Sequence, residues 1–223
     1  MRPVIAAFLL LLASLANAAH PVTISHMSPI FEGEDNQTPP RALRMDQLYP
    51  YLVPKEYLSH IDPAAPTESL GHGVYVTVVL DLDGVVRGVT AHDLSALGLD
   101  WSGARARAML NVAALANRRA ISMQLFPKGP AGLPFILVGG HWAAAALILS
   151  PKLPALASEK LGTHDVCASI PHREALLLFP CGTPESRNAM RALIRKNESN
   201  APKPLTFGFY ALRGGGAEPI ADD

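Results

Sequence analysis

The chain has 223 residues, enough for one domain that buries a substantial core without relying on disulfides. Lys+Arg and Asp+Glu both number 19, so no net field draws it to nucleic acid or to anionic lipid.

In chain order, the first element is a targeting signal. Arg2, the apolar run Val4 to Ala13 and the small residues of Ala16-Asn17-Ala18 read as a secretory signal peptide over 1–18, cleaved after Ala18. The run falls short of the roughly 20 apolar residues a spanning helix needs. The later stretch Trp142 to Leu149 is shorter still, so no membrane span is expected. Ala19, not a cysteine, stands directly after the signal, so lipid attachment at a new N-terminal cysteine is not expected. The mature protein is therefore expected outside the cytoplasm, periplasmic or secreted. Residues 19–47 read as an extended N-terminal arm, because His20 to Pro40 is rich in Pro, Ser, Thr, Asn and acidic side chains. A single domain is expected over 48–213, with a flexible tail over 214–223.

Leu43 to Leu58, broken by Pro50 and Pro54, reads as an irregular or short helical segment packed on the body. Gly73 to Asp81 is β-branched and aromatic, the pattern of a strand. Asp83-Gly84 then leads into Val85 to Val89, the sequence form of a two-residue type I′ hairpin. Asp81-Leu82-Asp83-Gly84 also opens like a calcium loop but lacks the later acidic ligands and the terminal Glu. Thr90 with Asp93 forms a capping box, and Gly98 stops the short helix that follows. A second helix is expected from about Ser102 to Arg119. Ala108, Met109, Val112, Leu115 and Ala116 would face its core side, with Arg107, Asn111, Ala114 and Arg118 outward.

Ile121 to Phe126 and Pro134 to Val138 form a second hairpin around Pro127-Lys128-Gly129-Pro130. Trp142 to Leu149 fits a helix or a strand, and Leu153 to Leu161 a helix ending at Gly162. Asp165 to Ile170 and Ala175 to Phe179 read as strands. Thr183 and Pro184 open the last helix, with Ala189, Met190, Leu193 and Ile194 inward and Arg187, Arg191 and Arg195 outward. Leu205 to Leu212 reads as the final strand, and Gly214-Gly215-Gly216 as a loose tail. The fold class is α+β, a largely antiparallel sheet built from hairpins with three to five inserted helices.

Cys167 and Cys181 are the only cysteines, and in an oxidising compartment a disulfide is their expected state, two buried thiols being the alternative. In a hairpin they face each other only if the loop is centred on Glu174. A tight loop between His172 and Arg173 offsets them by three residues, about 10 Å.

Tyr49-Pro50-Tyr51-Leu52-Val53, Ala108-Met109-Leu110-Asn111 and Ile170-Pro171-His172-Arg173-Glu174 before Leu176-Leu177-Leu178-Phe179 occur in order. Together they resemble the YtpQ-like family of bacterial proteins, a domain of unknown function, over roughly Leu48 to Leu212. The chain departs from that family at His172, where Ser or Thr is usual, and in carrying an export signal. The resemblance implies a compact α+β domain and brings no catalytic residue with it.

Eight histidines raise the question of metal, but no pair has i, i+4 spacing or a Cys-x-x-Cys companion, so neither metal nor cofactor is expected. There is no Gly-x-Ser-x-Gly elbow. Gly139-Gly140 is only a fragment of a phosphate cradle. The arginines of the second and last helices fit solvated faces. One polar grouping remains, His164, Asp165, His172 and Arg173, around the cysteine strands. The expected function is a non-catalytic binding or interaction module for a protein, peptide or envelope component. The alternative is a hydrolase-like enzyme with its site at those four residues. Convergence of those side chains in a deep pocket favours the enzyme, and an exposed apolar groove or open sheet edge favours binding.

Overall fold

The computed structural model describes residues 42–82, 84–129, 132–201 and 204–221. The signal peptide, nearly all of the N-terminal arm and Asp83 lie outside the described residues.

Four strands build the first sheet: β1 (Leu48–Pro54), β2 (Glu68–Gly71), β3 (Val74–Leu82) and β4 (Val85–Gly88). β3 is central. β1 runs along one side of it, from Leu48 opposite Leu80 to Pro54 opposite Val74. β2 and β4 share the other side, β2 against Val74 to Val76 and β4 against Val79 to Leu82. Leu82 pairs directly with Val85, so the β3–β4 connection is the expected two-residue hairpin, and Gly84 takes φ +97° there.

β1 corrects the irregular reading of Leu43 to Leu58. Its prolines are tolerated because β1 is an edge strand. The Lys55 N–H donates to the Gly73 carbonyl (2.8 Å), which puts the odd-numbered residues of β1 in the hydrogen-bonded pairs with β3. Pro50 and Pro54 are even-numbered, so each lacks an N–H only on the side without a neighbouring strand. A 3-10 helix, Lys55–His60, follows.

The sheet's inner face packs under α1 (Ala91–Leu97) and α2 (Trp101–Asn117). Leu48, Val78 and Leu80 meet Val89, Leu94, Leu97, Ala104 and Ala108 there. Thr90 and Asp93 form the expected capping box, and Gly98 closes α1 in the left-handed conformation. α2 departs from its predicted facing at Asn111, which is buried rather than outward. Its amide donates to the carbonyls of Met45 (2.7 Å) and Leu48 (2.9 Å), so a polar side chain serves the core face by satisfying backbone.

The second sheet contains β5 (Ser122–Phe126), β6 (Phe135–Gly139), β7 (Val166–His172), β8 (Ala175–Pro180), β9 (Phe209–Arg213) and β10 (Gly216–Pro219). All pair antiparallel, in the order β10-β9-β7-β8-β6-β5. β10 replaces the expected loose tail: Gly214 and Gly215 make a turn, and the chain returns along β9. One face of this sheet packs Phe135, Leu137, Leu177, Phe179 and Phe209 against Met190 and Ile194 of α4 (Pro184–Glu198). Ala189 is exposed instead of buried. Two of the three expected outward arginines of α4 lie over rings, Arg191 4.7 Å from the Phe209 centroid and Arg195 5.8 Å from that of Phe207.

The opposite face shares a core with the first sheet, where Ile136, Val138, Ala168, Ile170, Leu176 and Leu178 meet Leu52, Val74 and Val76. The ambiguous Trp142 to Leu149 stretch fills this space as a 3-10 helix, Ala144–Leu149, buried from Ala144 to Ile148. Alongside it lies α3 (Leu153–Leu161), ended at Gly162 as expected.

Cys167 and Cys181 are bonded, but not as a facing pair. The β7–β8 turn is two residues, Arg173-Glu174, and a register shift between Ser169 and His172 leaves Cys167 opposite Phe179. Cys181 lies just past the end of β8, where its N–H donates to the Asp165 carbonyl (2.9 Å). There its Cα comes 4.8 Å from that of Cys167. The bridge thus runs diagonally, two positions off the facing pair, while the Cys181 N–H keeps the β7–β8 register.

The tip of the β2–β3 hairpin docks on the second sheet. His72, at φ +50°, places Nε2 2.9 Å from the Phe209 carbonyl and its ring edge-on to Tyr210. The Tyr210 hydroxyl donates to the Gly71 carbonyl (3.1 Å). Gly208 lies directly beneath, and a Cβ there would fall 2.4 Å from His72 Cγ. Gly208→Ala should therefore push His72 off its carbonyl and lower stability by roughly 1–3 kcal/mol in urea unfolding. A neutral substitution would show that this docking does not hold the sheets.

Candidate functional site

Alternation along β1 and β3 sends one set of side chains away from the core: Tyr49, Tyr51 and Val53 from β1, and Tyr75, Thr77, Val79 and Asp81 from β3. Tyr57, Leu58 and Ile61 fold back over this outer face, joined by Val86 and Trp142 around buried Tyr51, Val53 and Val79. Four of the five tyrosines and one of the two tryptophans collect here, so aromatic content is concentrated on one face of one sheet. Trp142 meets Tyr49 and Tyr51 edge-on, at centroid distances of 5.5 and 5.9 Å.

Arg173 reaches this face from the β7–β8 turn. Its Nε donates to the Leu52 carbonyl (2.9 Å), one guanidinium nitrogen donates to the Tyr51 hydroxyl, and Cζ lies 4.4 Å from the Tyr51 ring centroid. Burial pushes the Tyr51 phenol up in pKa, with Arg173 pulling it back, so the hydroxyl stays protonated and accepts the arginine's hydrogen bond. Arg173 and Asn111 thus occupy the carbonyls of Leu52 and Leu48 on the strand's free edge, either side of Pro50.

At the other margin Asp81 accepts from Trp142 Nε1 (3.1 Å) and from the Gly84 N–H (3.2 Å). Both of its oxygens therefore serve the turn and the indole, as a hairpin requires. His141 lies beside Trp142 and Tyr49. Its Nδ1 accepts the Ala143 N–H (3.1 Å), which places the ring proton on Nε2. Burial lowers its pKa and Asp81 partly opposes that, so the ring favours the neutral form.

Between the outer face and the segment from Tyr57 to Ala65 lies a pocket of about 50 Å³. Its wall includes Tyr51, Tyr57, Ile61, Ala65, Val79 and Val86, and Thr77 also lines it. Thr77 is 4 % exposed, and its hydroxyl has no hydrogen-bond partner among the described residues. Arg87, at the rim, is committed elsewhere. It holds Asp93 through two hydrogen bonds (2.6 and 2.8 Å), tying β4 to α1. Burial by itself raises the Asp93 pKa, but the bonds from Arg87 and from the Thr90 N–H and hydroxyl outweigh it and bring the carboxyl down to about 2.

The predicted polar grouping does not assemble. His164 and Asp165 are exposed just before β7, and Asp165 has Arg213 3.9 Å away. His172 and Arg173 lie at the other end of that seven-residue strand, ~20 Å off at the rise of extended chain. His172 is engaged by Glu198 of α4 (3.1 Å) and Arg173 by β1. Residues adjacent in sequence space were separated by the strand between them. Among the described residues no group of three or more His, Cys, Asp or Glu is placed to hold a metal ion, and no helix is long and apolar enough to cross a membrane. What the sequence reading missed, the tyrosine face, was signalled by odd-numbered Tyr49, Tyr51 and Tyr75, a period of two that becomes visible once β1 is recognised as a strand.

Comparison with family models, curated proteins and solved structures finds no match to this chain. The segments Tyr49 to Val53, Ala108 to Asn111 and Ile170 to Glu174 converge in space: Asn111 and Arg173 both hydrogen-bond to β1, which carries Tyr49 to Val53.

Arg173→Lys keeps the charge but loses the planar fork, and should lower stability by about 1–2 kcal/mol in urea unfolding. A variant as stable as the parent would mean that charge alone holds the β1 edge. For Asp93 the sign follows from a folded pKa below the unfolded value: its contribution is present above pH 3.8 and is lost as pH falls through about 2. The parent should lose ~2 kcal/mol across that window, and Asp93→Asn should lose correspondingly less. Parallel acid-unfolding curves for the two proteins would contradict this.

Proposed function

We propose that the protein is an exported, non-catalytic binding module that recognises a protein, peptide or envelope component through the tyrosine face of its four-stranded sheet. The observation that carries this reading is the collection of Tyr49, Tyr57, Tyr75 and Trp142, all half-buried, around Tyr51 and the Arg173 guanidinium. Tyr, Trp and Arg are the residues in which binding energy concentrates at protein interfaces, since each offers a large contact area with a polar handle. The separation of His164 and Asp165 from His172 and Arg173 favours binding over the hydrolase-like alternative. Export is supported by the signal-like N-terminus together with the Cys167–Cys181 bridge, a bond that persists in oxidising compartments. Kinship with the YtpQ-like family belongs to the same proposal, resting on the segments that meet at β1.

The test is selection of a phage-displayed peptide library, and of an immobilised envelope fraction, against the chain lacking residues 1–18. Ligands so obtained should lose about tenfold or more in affinity with Tyr57→Ser or Tyr75→Ser, and little with His164→Ala or Asp165→Ala. Ligands indifferent to both tyrosine variants would reject this face. Ester or amide hydrolysis abolished by His172→Ala would restore the enzyme.

A further inference from the structure

We infer that the pocket beneath Tyr57 is a socket for a small uncharged amphiphilic group, a short hydrocarbon body bearing one hydroxyl or amide. Thr77 is its hydrogen-bond partner. The inference deepens the reading of the tyrosine face, on which it rests, by naming the kind of group that anchors the partner.

The socket arises from the way β3 is flanked. β2 pairs no further along it than Val76, and β4 begins at Val79, with the Val89 N–H still reaching the Val78 carbonyl (3.4 Å), so Thr77 lies where neither strand covers it. On the outer face this break leaves the pocket, closed over by the Tyr57 to Ala65 segment. Its walls are mostly hydrocarbon and ring, which favours an apolar body. At about 50 Å³ it has room for roughly four to six heavy atoms, not for an extended ligand.

The polar groups around it decide the chemistry. The Tyr51 hydroxyl is engaged by Arg173, and the Thr90 hydroxyl donates to Asp93. The charge of Arg87 is answered by Asp93. Asp62 has one oxygen on the Ala64 N–H, and its negative charge opposes an anion at the rim. A cation would surrender its hydration to a largely apolar wall. His60 and Tyr57 also line the pocket, their rings 5.5 Å apart, and Thr77 adds a buried hydroxyl able both to donate and to accept, which suits a neutral hydroxyl or amide.

The experiment is a heteronuclear NMR titration of the chain lacking residues 1–18 with isobutanol and propionamide, against isobutyrate and isobutylammonium at equal concentration. The neutral probes should give saturable shifts at Tyr51, Thr77, Val79 and Val86 in the millimolar range, and the charged ones none. Thr77→Val, which keeps the shape and removes the hydroxyl, should weaken the neutral probes roughly tenfold. Ala65→Phe, which fills the pocket, should abolish the shifts and serves if Thr77→Val fails to fold. A pocket exchanging water only, with no saturable shift, overturns the socket, and so does a Thr77→Val protein that binds as well as the parent. Selected ligands that depend on Tyr75 while no small probe enters would remove the socket and leave the binding face. Probe binding at Thr77 with ligands indifferent to Tyr57 and Tyr75 would do the reverse.

Discussion

Arg173 leaves the turn of one sheet and ends on the free edge of the other, where its guanidinium meets the Leu52 carbonyl and the ring and hydroxyl of Tyr51. An edge strand offers unpaired carbonyls that must be answered by water or by side chains. In β1 the answer comes from Asn111 at Leu48 and Arg173 at Leu52, with Pro50 between them removing one donor. The edge is therefore closed to further strand pairing. Tyr51 is held from three sides, and the remaining aromatic residues pack around it.

The same economy of contacts joins the two sheets. A single interior layer of small residues, Ala144, Ala145 and Ala146, lets them approach a shared core. The Ala145 N–H donates to the Arg173 carbonyl (3.0 Å), so the turn that presents the guanidinium is itself anchored through its backbone. His72 and Tyr210 supply the second fastening at the β2–β3 tip, on the side of β3 opposite β1. With one link on β1 and another at the β2–β3 tip, the four-stranded sheet is fastened on both sides of the Val74 end of β3.

Local chemistry made much of this legible from sequence. Thr90 and Asp93, Gly98, Gly162 and Thr183-Pro184 each satisfy a helix end within a few residues, so the helices they bound could be read without knowledge of the fold. Asp83-Gly84 and the buried runs of β6, β7 and β8 are likewise local. β1 was not, because proline excludes an interior strand but permits an edge, and edge position is a property of the finished sheet. Gly216-Ala217-Glu218-Pro219 carries no strand signal and becomes β10 only by pairing with β9. Asn111 read as outward and Arg173 as part of a polar grouping, since their partners are backbone atoms 63 and 121 residues away. The polar grouping failed for a related reason, as sequence proximity says nothing about which end of a strand a residue occupies.

The cysteine bridge spans 14 positions and encloses little beyond the β7–β8 hairpin, whereas the Arg173 contact closes a loop of more than a hundred residues. Short loops close sooner and at lower entropic cost than long ones. The hairpin can thus be oxidised while the sheets are still apart, and the arginine turn would already be shaped when β1 arrives. Order of assembly is written into the chain in this way: hairpins and their bridge first, docking of the two sheets last. The tyrosine face, whose Tyr51 depends on the late contact, would be completed only in the fully assembled molecule, so a partially folded chain would not present it.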